Sequence, residues 1–469
     1  MTRLGPDTGP PQAATGRRGA PGRAPVSNRR GTPPGDLARR PTEASDPVAY
    51  DRPVRLQFLG GAGEVGRSAL LVNDALLLDF GIKTDTPPQY PVGSTRGRPD
   101  ADPEAVVVSH GHLDHVGAVP ALLSGSARPP VHWTPPTAEL AMVLARDTLK
   151  LHGGTPQCPF TETELRRLTA ASTLCGYREP FEAAGHRVEL FDAGHIPGSA
   201  HVLVDDGDTR LLYTGDFHTD DQRLVAGSRD RPDADVVVTE STYADTDHDD
   251  RDVVERRFVD SVRTTLWEGG TVVVPAFAIG RTQEMMLVCD AHDIECYVDG
   301  MGTEVTRLLR RYPGFLRDAE AMRRATSNAR FVTGRDGQRR RIADQSTVVI
   351  TTAGMLSGGP AMTYVPAIHD NPVNKLCFSG YQVADTPGRE LLETGSAEIG
   401  GRHLRVSAQV ESYDFSAHAD HGGLRAFLDA YEGAPLFVTH GDSCDRFADA
   451  LASDGHDATA PALGETVEV

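Results

Sequence analysis

Lysine is almost missing from this sequence. Lys83, Lys150 and Lys375 are the whole complement, so arginine supplies nearly all positive charge, and the formal net charge is −19. An acidic chain short of lysine reads as adapted to a salt-rich cytoplasm, although a GC-rich coding bias that favours arginine produces the same composition. Net acidity counts against a nucleic-acid partner. It does not exclude one, because a local basic groove can sit on an acidic body, and high salt weakens phosphate contacts that rest on charge alone. No apolar run approaches the roughly 20 residues needed to cross a bilayer. No apolar h-region follows the N-terminal arginines, so no secretory signal is expected. Cysteine is scarce and scattered, at positions 158, 175, 289, 296, 377 and 444, with no CxxC pair. That argues against a disulfide framework and against a cysteine-rich zinc module, and it fits a reducing cytoplasm. No internal repeat is evident.

A chain of 469 residues has room for two or three domains. Residues 1–50 are rich in Pro, Gly, Ala and Arg without hydrophobic period and are expected to be disordered. They hold eight Arg against four Asp and Glu, so the tail is basic; an RNA-touching arm, an idle tail and an over-called start all remain open. The folded part is expected from Val54. VRLQFLG reads as a strand, GGAGEVGRS as a Gly-rich turn, and SALLVNDALLLDFG as two strands around a tight Asn-Asp turn. EAVVVSH, RVELFDAGH, HVLVDD and TRLLYTGDFH are further strands, and PTAELAMVLARDTLKLHGG has helical period. From about 250 to 400, helical segments alternate with apolar strands such as TVVVPAFA and STVVITTAG. That alternation predicts an inserted α/β unit with a parallel sheet. Strand-like segments RVSAQVESYDFS and PLFVTH follow, each ending at a histidine.

The stretch SHGHLDHVG places His110, His112, Asp114 and His115 within six positions. Zinc takes neutral imidazoles and carboxylates in roughly tetrahedral sites. His110 and His112, two apart, can point the same way from an extended loop, while Asp114 and His115 face a second position. One metal cannot use all four and keep an open position without strain, so two metals completed by other segments are expected. Candidates recur at the ends of later strands: Asp79 in LLLDFG, His195 in DAGH, Asp216 in TGDFH, His418 in FSAHAD and His440 in FVTHGD. Such positions gather at one end of a sheet.

This ordered set resembles the metallo-β-lactamase fold, with the HxHxDH cluster, His195, Asp216 and the strand carrying Asp79. TEST with Glu240, FSAH with His418 and THGD with His440 are similar to the three extra motifs of the β-CASP nucleases. PAFAIGRTQE and GMLSGGP resemble segments of the inserted β-CASP domain. GAGEVGRS and AFAIGRTQE look more like the cleavage and polyadenylation specificity factor nuclease branch than like ribonuclease J, in its shorter archaeal form without KH domains. The resemblance covers residues 54–469.

The resemblance implies an α/β fold: a metallo-β-lactamase αββα sandwich with an inserted β-CASP domain. The expected domains are 51–245 and 404–469 for the sandwich and 246–403 for the insertion. It implies two Zn2+ ions: His110, His112 and His195 on one, Asp114, His115 and His440 on the other, Asp216 bridging, and Asp79 behind them orienting the ligands. Asp114, Asp216, His418 and Glu240 form the expected catalytic set. A zinc-bridged hydroxide would attack a backbone phosphorus, with His418 protonating the leaving 3′ oxygen and Glu240 holding its ring. His440 is similar to the RNA-acting members, where DNA-acting members carry an aliphatic residue. The expected function is therefore a cytoplasmic zinc ribonuclease on single-stranded RNA, endonuclease or 5′-to-3′ exonuclease, with a homodimer as its expected assembly. Arg281, Ser357, Gly358, Gly359 and Ser416 are candidate substrate contacts. His201, His218 and His421 are expected to be structural or to stand behind the ligands. A non-catalytic RNA-processing partner, and a two-zinc hydrolase acting on DNA or a small ester or thioester, are the competing readings.

Overall fold

Residues 53–469 are described, apart from 86, 96, 97, 100, 101 and 336, in a computed structural model; the expected disordered tail at 1–50 lies outside the described residues. Two seven-stranded sheets face each other. The first runs Thr466–Glu468, Arg55–Gly60, Ala69–Val72, Leu76–Leu78, Ala105–Val107, Val131–Trp133 and Ser172–Leu174. The second runs Ala458–Thr459, Leu436–Val438, Val236–Thr239, Arg210–Tyr213, Ala200–Asp205, His186–Asp192 and Phe181–Ala183. Period-2 alternation explains the layers. Val202 and Val204 point into the core between the sheets, with Leu56, Phe58, Leu70 and Val107, whereas Leu203 points outward into a separate cluster. Helices Pro135–His152 and Glu162–Ala171 lie with the first sheet, and His421–Leu428 and Cys444–Ser453 pack outside the second. Asn73 (φ +50°) and Asp74 (φ +57°) make the tight turn expected between the second and third strands.

The inserted unit is a six-stranded sheet in the order Arg330–Phe331, Cys296–Asp299, Val348–Thr351, Val272–Pro275, Lys375–Phe378 and Gln409–Ser412. All its pairings are parallel. Val272 and Val274 join the large cluster shared with the first sandwich sheet, while Val273 faces the other side with Val349, Leu376 and Tyr364. The apolar core is thus continuous across the seam. Strand Gln409–Ser412 pairs with Lys375–Phe378, beyond the boundary expected after residue 403. A parallel strand must end at the same sheet edge as its neighbours, and that edge delivers residues 413–420 to the metal cluster described below.

All loops leaving the C-terminal ends of a parallel sheet emerge on one side. Here that side faces the sandwich: Gly280 lies so close to Ile196 that an added Cβ would be 2.9 Å from its Cγ2. Among the described residues, no helix is long and apolar enough to cross a membrane.

Candidate metal centre

The His/Asp cluster forms where loops leave strand ends. Asp79 follows Leu76–Leu78, Ser109 to His112 follow Ala105–Val107, Asp216 follows Arg210–Tyr213, and His440 follows Leu436–Val438. A single helical turn, Leu113–Val116, rotates Asp114 and His115 away from extended His112. Gly81 lets two of these loops touch, since a Cβ there would sit 1.7 Å from the Asp114 carbonyl oxygen. Asp79 (φ +58°) and His440 (φ +48°) hold left-handed backbone. For non-glycine residues that costs on the order of 1–3 kcal/mol, and such strain collects at functional sites.

Two donor sets share one carboxylate. His110, His112, His195 and Asp216 form the first, and Asp114, His115, Asp216 and His440 the second, with ligand atoms in each within 4.8 Å of one another. His112 Nδ1 lies 3.2 Å from His110 Nε2 and 3.0 Å from His195 Nε2. Nitrogens around a tetrahedral zinc at bonds of about 2.0–2.1 Å sit about 3.3 Å apart. The partners of the far ring nitrogens set which lone pairs converge. His195 Nδ1–H donates to the Ala417 carbonyl at 2.8 Å, and His115 Nδ1–H donates to Asp79 at 2.7 Å. His115 Nε2 then points its lone pair at Asp216 Oδ1, 3.2 Å away, which is repulsive unless a cation lies between. Asp216 Oδ1 and His440 Nε2 are buried with no hydrogen-bond partner. Unpartnered acceptors aimed at a common point fit divalent metal ions.

The electrostatics agree with that fit. Burial, reinforced by neighbouring His115, pushes His110 well below 6.5, and burial with His418 and His112 does the same to His195. Burial takes His112 down to about 4. All three are neutral, as ligands must be. Burial raises Asp216, but His115, His440 and His110 outweigh it and hold the carboxyl well below its usual range. Burial likewise opposes charge on His115, yet Asp216 and Asp79 overcome it and raise that imidazole, so without a metal a proton fills the place between His115 and Asp216 that a metal ion would take.

Asp79 is fully engaged. It accepts from the Ser109 N–H (2.7 Å), the Ser109 hydroxyl (2.6 Å) and the Tyr213 hydroxyl (2.9 Å), besides His115. Its Oδ2 therefore orients the His115 ring, and Asp79 is absent from both donor sets. His418 stands at the rim with its Nδ1 3.1 Å from Glu240 Oε2 and 3.9 Å from Asp216 Oδ2. Glu240 is anchored by the Phe217 N–H at 2.8 Å. Burial disfavours charge on His418, but Glu240 and then Asp216 raise its pKa to about 9.

The remaining candidates separate. The Ser416 hydroxyl accepts the His418 N–H at 3.1 Å and shapes that turn. Arg281 begins helix Arg281–Ala291 at the inserted sheet's edge. Ser357, Gly358 and Gly359 lie in the loop after Val348–Thr351, closed by Ala353 N–H donating to the Gly358 carbonyl at 3.2 Å; among the described residues no hydrogen bond joins this loop to the cluster. His201 is held by Thr214 and Ser228, and His421 begins helix His421–Leu428. Sequence reasoning missed Tyr213, Ser109 and Ser68, whose hydroxyl lies 2.8 Å from His440 Nδ1. Only adjacency to a ligand motif could have flagged the first two. It also missed Arg251, Tyr243 and His248, which gather beside His418.

Comparison with known proteins agrees with this geometry. The metallo-beta-lactamase superfamily matches residues 62–254, the Beta-Casp domain 282–391, and the Zn-dependent metallo-hydrolase RNA specificity domain 403–461. The chain is 33 % identical over 427 residues to the probable RNase MJ4 of Methanocaldococcus jannaschii, covering 88 % of this chain and 99 % of that one. It is 33 % identical to RNase aCSPSF2 of Saccharolobus solfataricus, covering 88 % and 85 %. It is 30 % identical to transcription termination factor FttA of Methanothermobacter thermautotrophicus, covering 83 % and 67 %. A solved protein of unknown function from Enterococcus faecalis V583 shares the fold, with a TM-score of 0.56 at 13 % identity over 89 % of this chain and 100 % of that one. The chain belongs to the β-CASP ribonuclease family of the metallo-β-lactamase superfamily, whose members are zinc-dependent metallo-hydrolases.

Proposed function

We propose that this metal-dependent ribonuclease holds two zinc ions and hydrolyses single-stranded RNA to products with 5′-phosphate and 3′-hydroxyl ends. The observation that carries the proposal is two complete donor sets sharing Asp216, with a Glu240-held imidazole against them. His110, His112 and His195 would hold one ion, Asp114, His115 and His440 the other, and Asp216 both. Bound there, zinc lowers the pKa of water to about 7 and stabilises charge on phosphoryl oxygens.

The chain's own groups do the rest. Asp79 fixes the His115 ring. Glu240 takes the Nδ1–H of His418, which leaves Nε2–H for the departing 3′ oxygen. Asp114 is partly exposed while Asp216 is buried, so substrate approaches from the Asp114 and His418 side. The proposed domains are 51–245 with 404–469 for the sandwich and 246–403 for the insertion, corrected at one point: strand Gln409–Ser412 belongs to the inserted sheet. A cytoplasmic, salt-adapted setting and a homodimer complete the reading, supported by the acidic, lysine-poor composition for the first two.

The decisive experiment compares zinc-loaded wild type with Asp216→Ala on single-stranded RNA labelled internally and at the 5′ end, at moderate and high salt. Metal-dependent cutting that the substitution abolishes is expected. Internal fragments mean endonuclease, released mononucleotides exonuclease. Zinc-replete wild type that cuts no RNA at any salt would overturn the proposal, and assays on DNA and thioesters would then separate the other hydrolases from a silent partner subunit.

A further inference from the structure

Beyond the metal cluster, an aromatic and cationic edge lies against His418. Three aromatic side chains are broadly exposed among the described residues: Trp267 at 86 %, Tyr381 at 55 % and Phe277 at 44 %. Isolated exposed aromatics are ordinary. Phe277 and Tyr381 are not isolated. They leave neighbouring strands of the inserted sheet, Val272–Pro275 and Lys375–Phe378, whose ends are tied by the Ser379 hydroxyl donating to the Pro275 carbonyl at 3.1 Å. Val383, 45 % exposed, follows on the same loop. From Tyr381 the path runs inward through Tyr243, whose ring is 6.5 Å from Tyr381 and 5.8 Å from His418.

A cation with an unsatisfied donor sits under this edge. Arg281 Nε is 4.0 Å from where a Cβ on Gly380 would stand, directly beside Tyr381. Its Nη1 is enclosed with no acceptor. The carboxylates nearby are taken: Glu284 by Arg251 (2.8 Å) and by the N–H groups of Arg223 and Leu224, and Asp414 by His248 (3.2 Å). Burial and Arg251 pull Arg281 down to about 10 against the pull of Glu284 and Asp414, so it stays charged at neutral pH while its Nη1 meets no acceptor.

We propose that Phe277 and Tyr381 form a stacking shelf for an unpaired RNA base beside the cleaved bond, and that Arg281 takes the phosphate linking that nucleotide to the scissile one. The inference rests on the ribonuclease reading and adds where the strand lies. Aromatic faces accept any base, and a planar guanidinium suits a phosphate. A base held in a duplex cannot reach the shelf, which makes single-strandedness a property of these side chains rather than of the metals.

The test is fluorescence anisotropy of the zinc-loaded full chain with a phosphorothioate-linked single-stranded oligoribonucleotide, intact or abasic at one position at a time. Wild type is expected to lose affinity at one abasic position next to the cut. Tyr381→Ala should raise Kd about tenfold and remove that position's penalty, and Tyr381→Trp should restore both. Arg281→Gln should flatten the slope of log Kd against log salt by about 0.7, the share of one single-strand phosphate contact. Tyr381 is exposed, so its arm stands even if Arg281→Gln fails to fold. Tyr381→Ala binding like wild type with the abasic penalty intact would remove the shelf alone. Zinc-replete wild type that neither binds nor cuts RNA would remove the ribonuclease reading and the shelf together.

Discussion

Glu240 accepts the Phe217 N–H and faces the His418 imidazole, so at the scale of single residues the two are separable by their effects. His418 touches substrate in the proposed reaction but belongs to neither of the two proposed zinc-holding sets. His418→Ala is expected to lower kcat on RNA by about 10²–10⁴-fold, the usual worth of a positioned acid, with zinc content unchanged by elemental analysis. An unchanged rate at full zinc content would sink the acid role. Asp79→Asn should act the other way round. It keeps the shape but weakens the grip on His115, so zinc affinity should fall about 10–100-fold, read by competition with a chromophoric chelator. The HxHxDH residues were legible in the sequence because they sit within six positions of one another. Asp79 behind them was expected from the family resemblance; the hydroxyls were not, because the one on Asp79 lies 134 residues away and the one on His440 372 residues away.

Helix Arg281–Ala291 shows what an element adds. Glu284 in its first turn accepts the N–H groups of Arg223 and Leu224 and pairs with Arg251. It thereby ties the loop after Asp216 and the first helix of the insertion to one point. Burial raises its carboxyl, but Arg251 and these hydrogen bonds win and hold it below 4.5. A carboxylate depressed in the folded state contributes stability that is complete above the unfolded value and is lost as pH falls through the lower folded value. The wild type should therefore lose unfolding free energy steeply below about pH 4.5, and Glu284→Gln should flatten that limb. Glu284→Ala, which strips the partly buried Arg251 of its carboxylate and leaves the Arg223 and Leu224 N–H groups without an acceptor, should cost about 1–3 kcal/mol by denaturant titration. A variant as stable as wild type would show that the tie carries no weight. The helix–strand alternation of the insertion was readable in the sequence; the partners of this helix were not, because nothing local marks Glu284 as facing inward.

At the scale of the molecule, each candidate donor set draws on segments far apart in the chain, the first spanning His110 to Asp216 and the second Asp114 to His440. No unfolded chain presents such a set, so metal binding is linked to folding. Zinc at a thousand times its dissociation constant should add about 4 kcal/mol. Stripping the metal with a chelator should therefore lower Tm, and restoring zinc should recover it. A Tm indifferent to chelation would mean the cluster binds no metal that matters to the fold.

The sandwich was expected only from the family resemblance, but the His/Asp pattern, its order along the chain, the strand-like segments and the helix–strand alternation that predicts an inserted parallel sheet were legible without the fold. These are local signals, carried by spacing and period. What the fold added is that strand Gln409–Ser412 joins the inserted sheet, that the Tyr213 and Ser109 hydroxyls fix Asp79, and that Tyr243 links Tyr381 to His418. Those outcomes depend on which strand pairs with which and on how two sheet edges meet, and neither is written in any short stretch of residues.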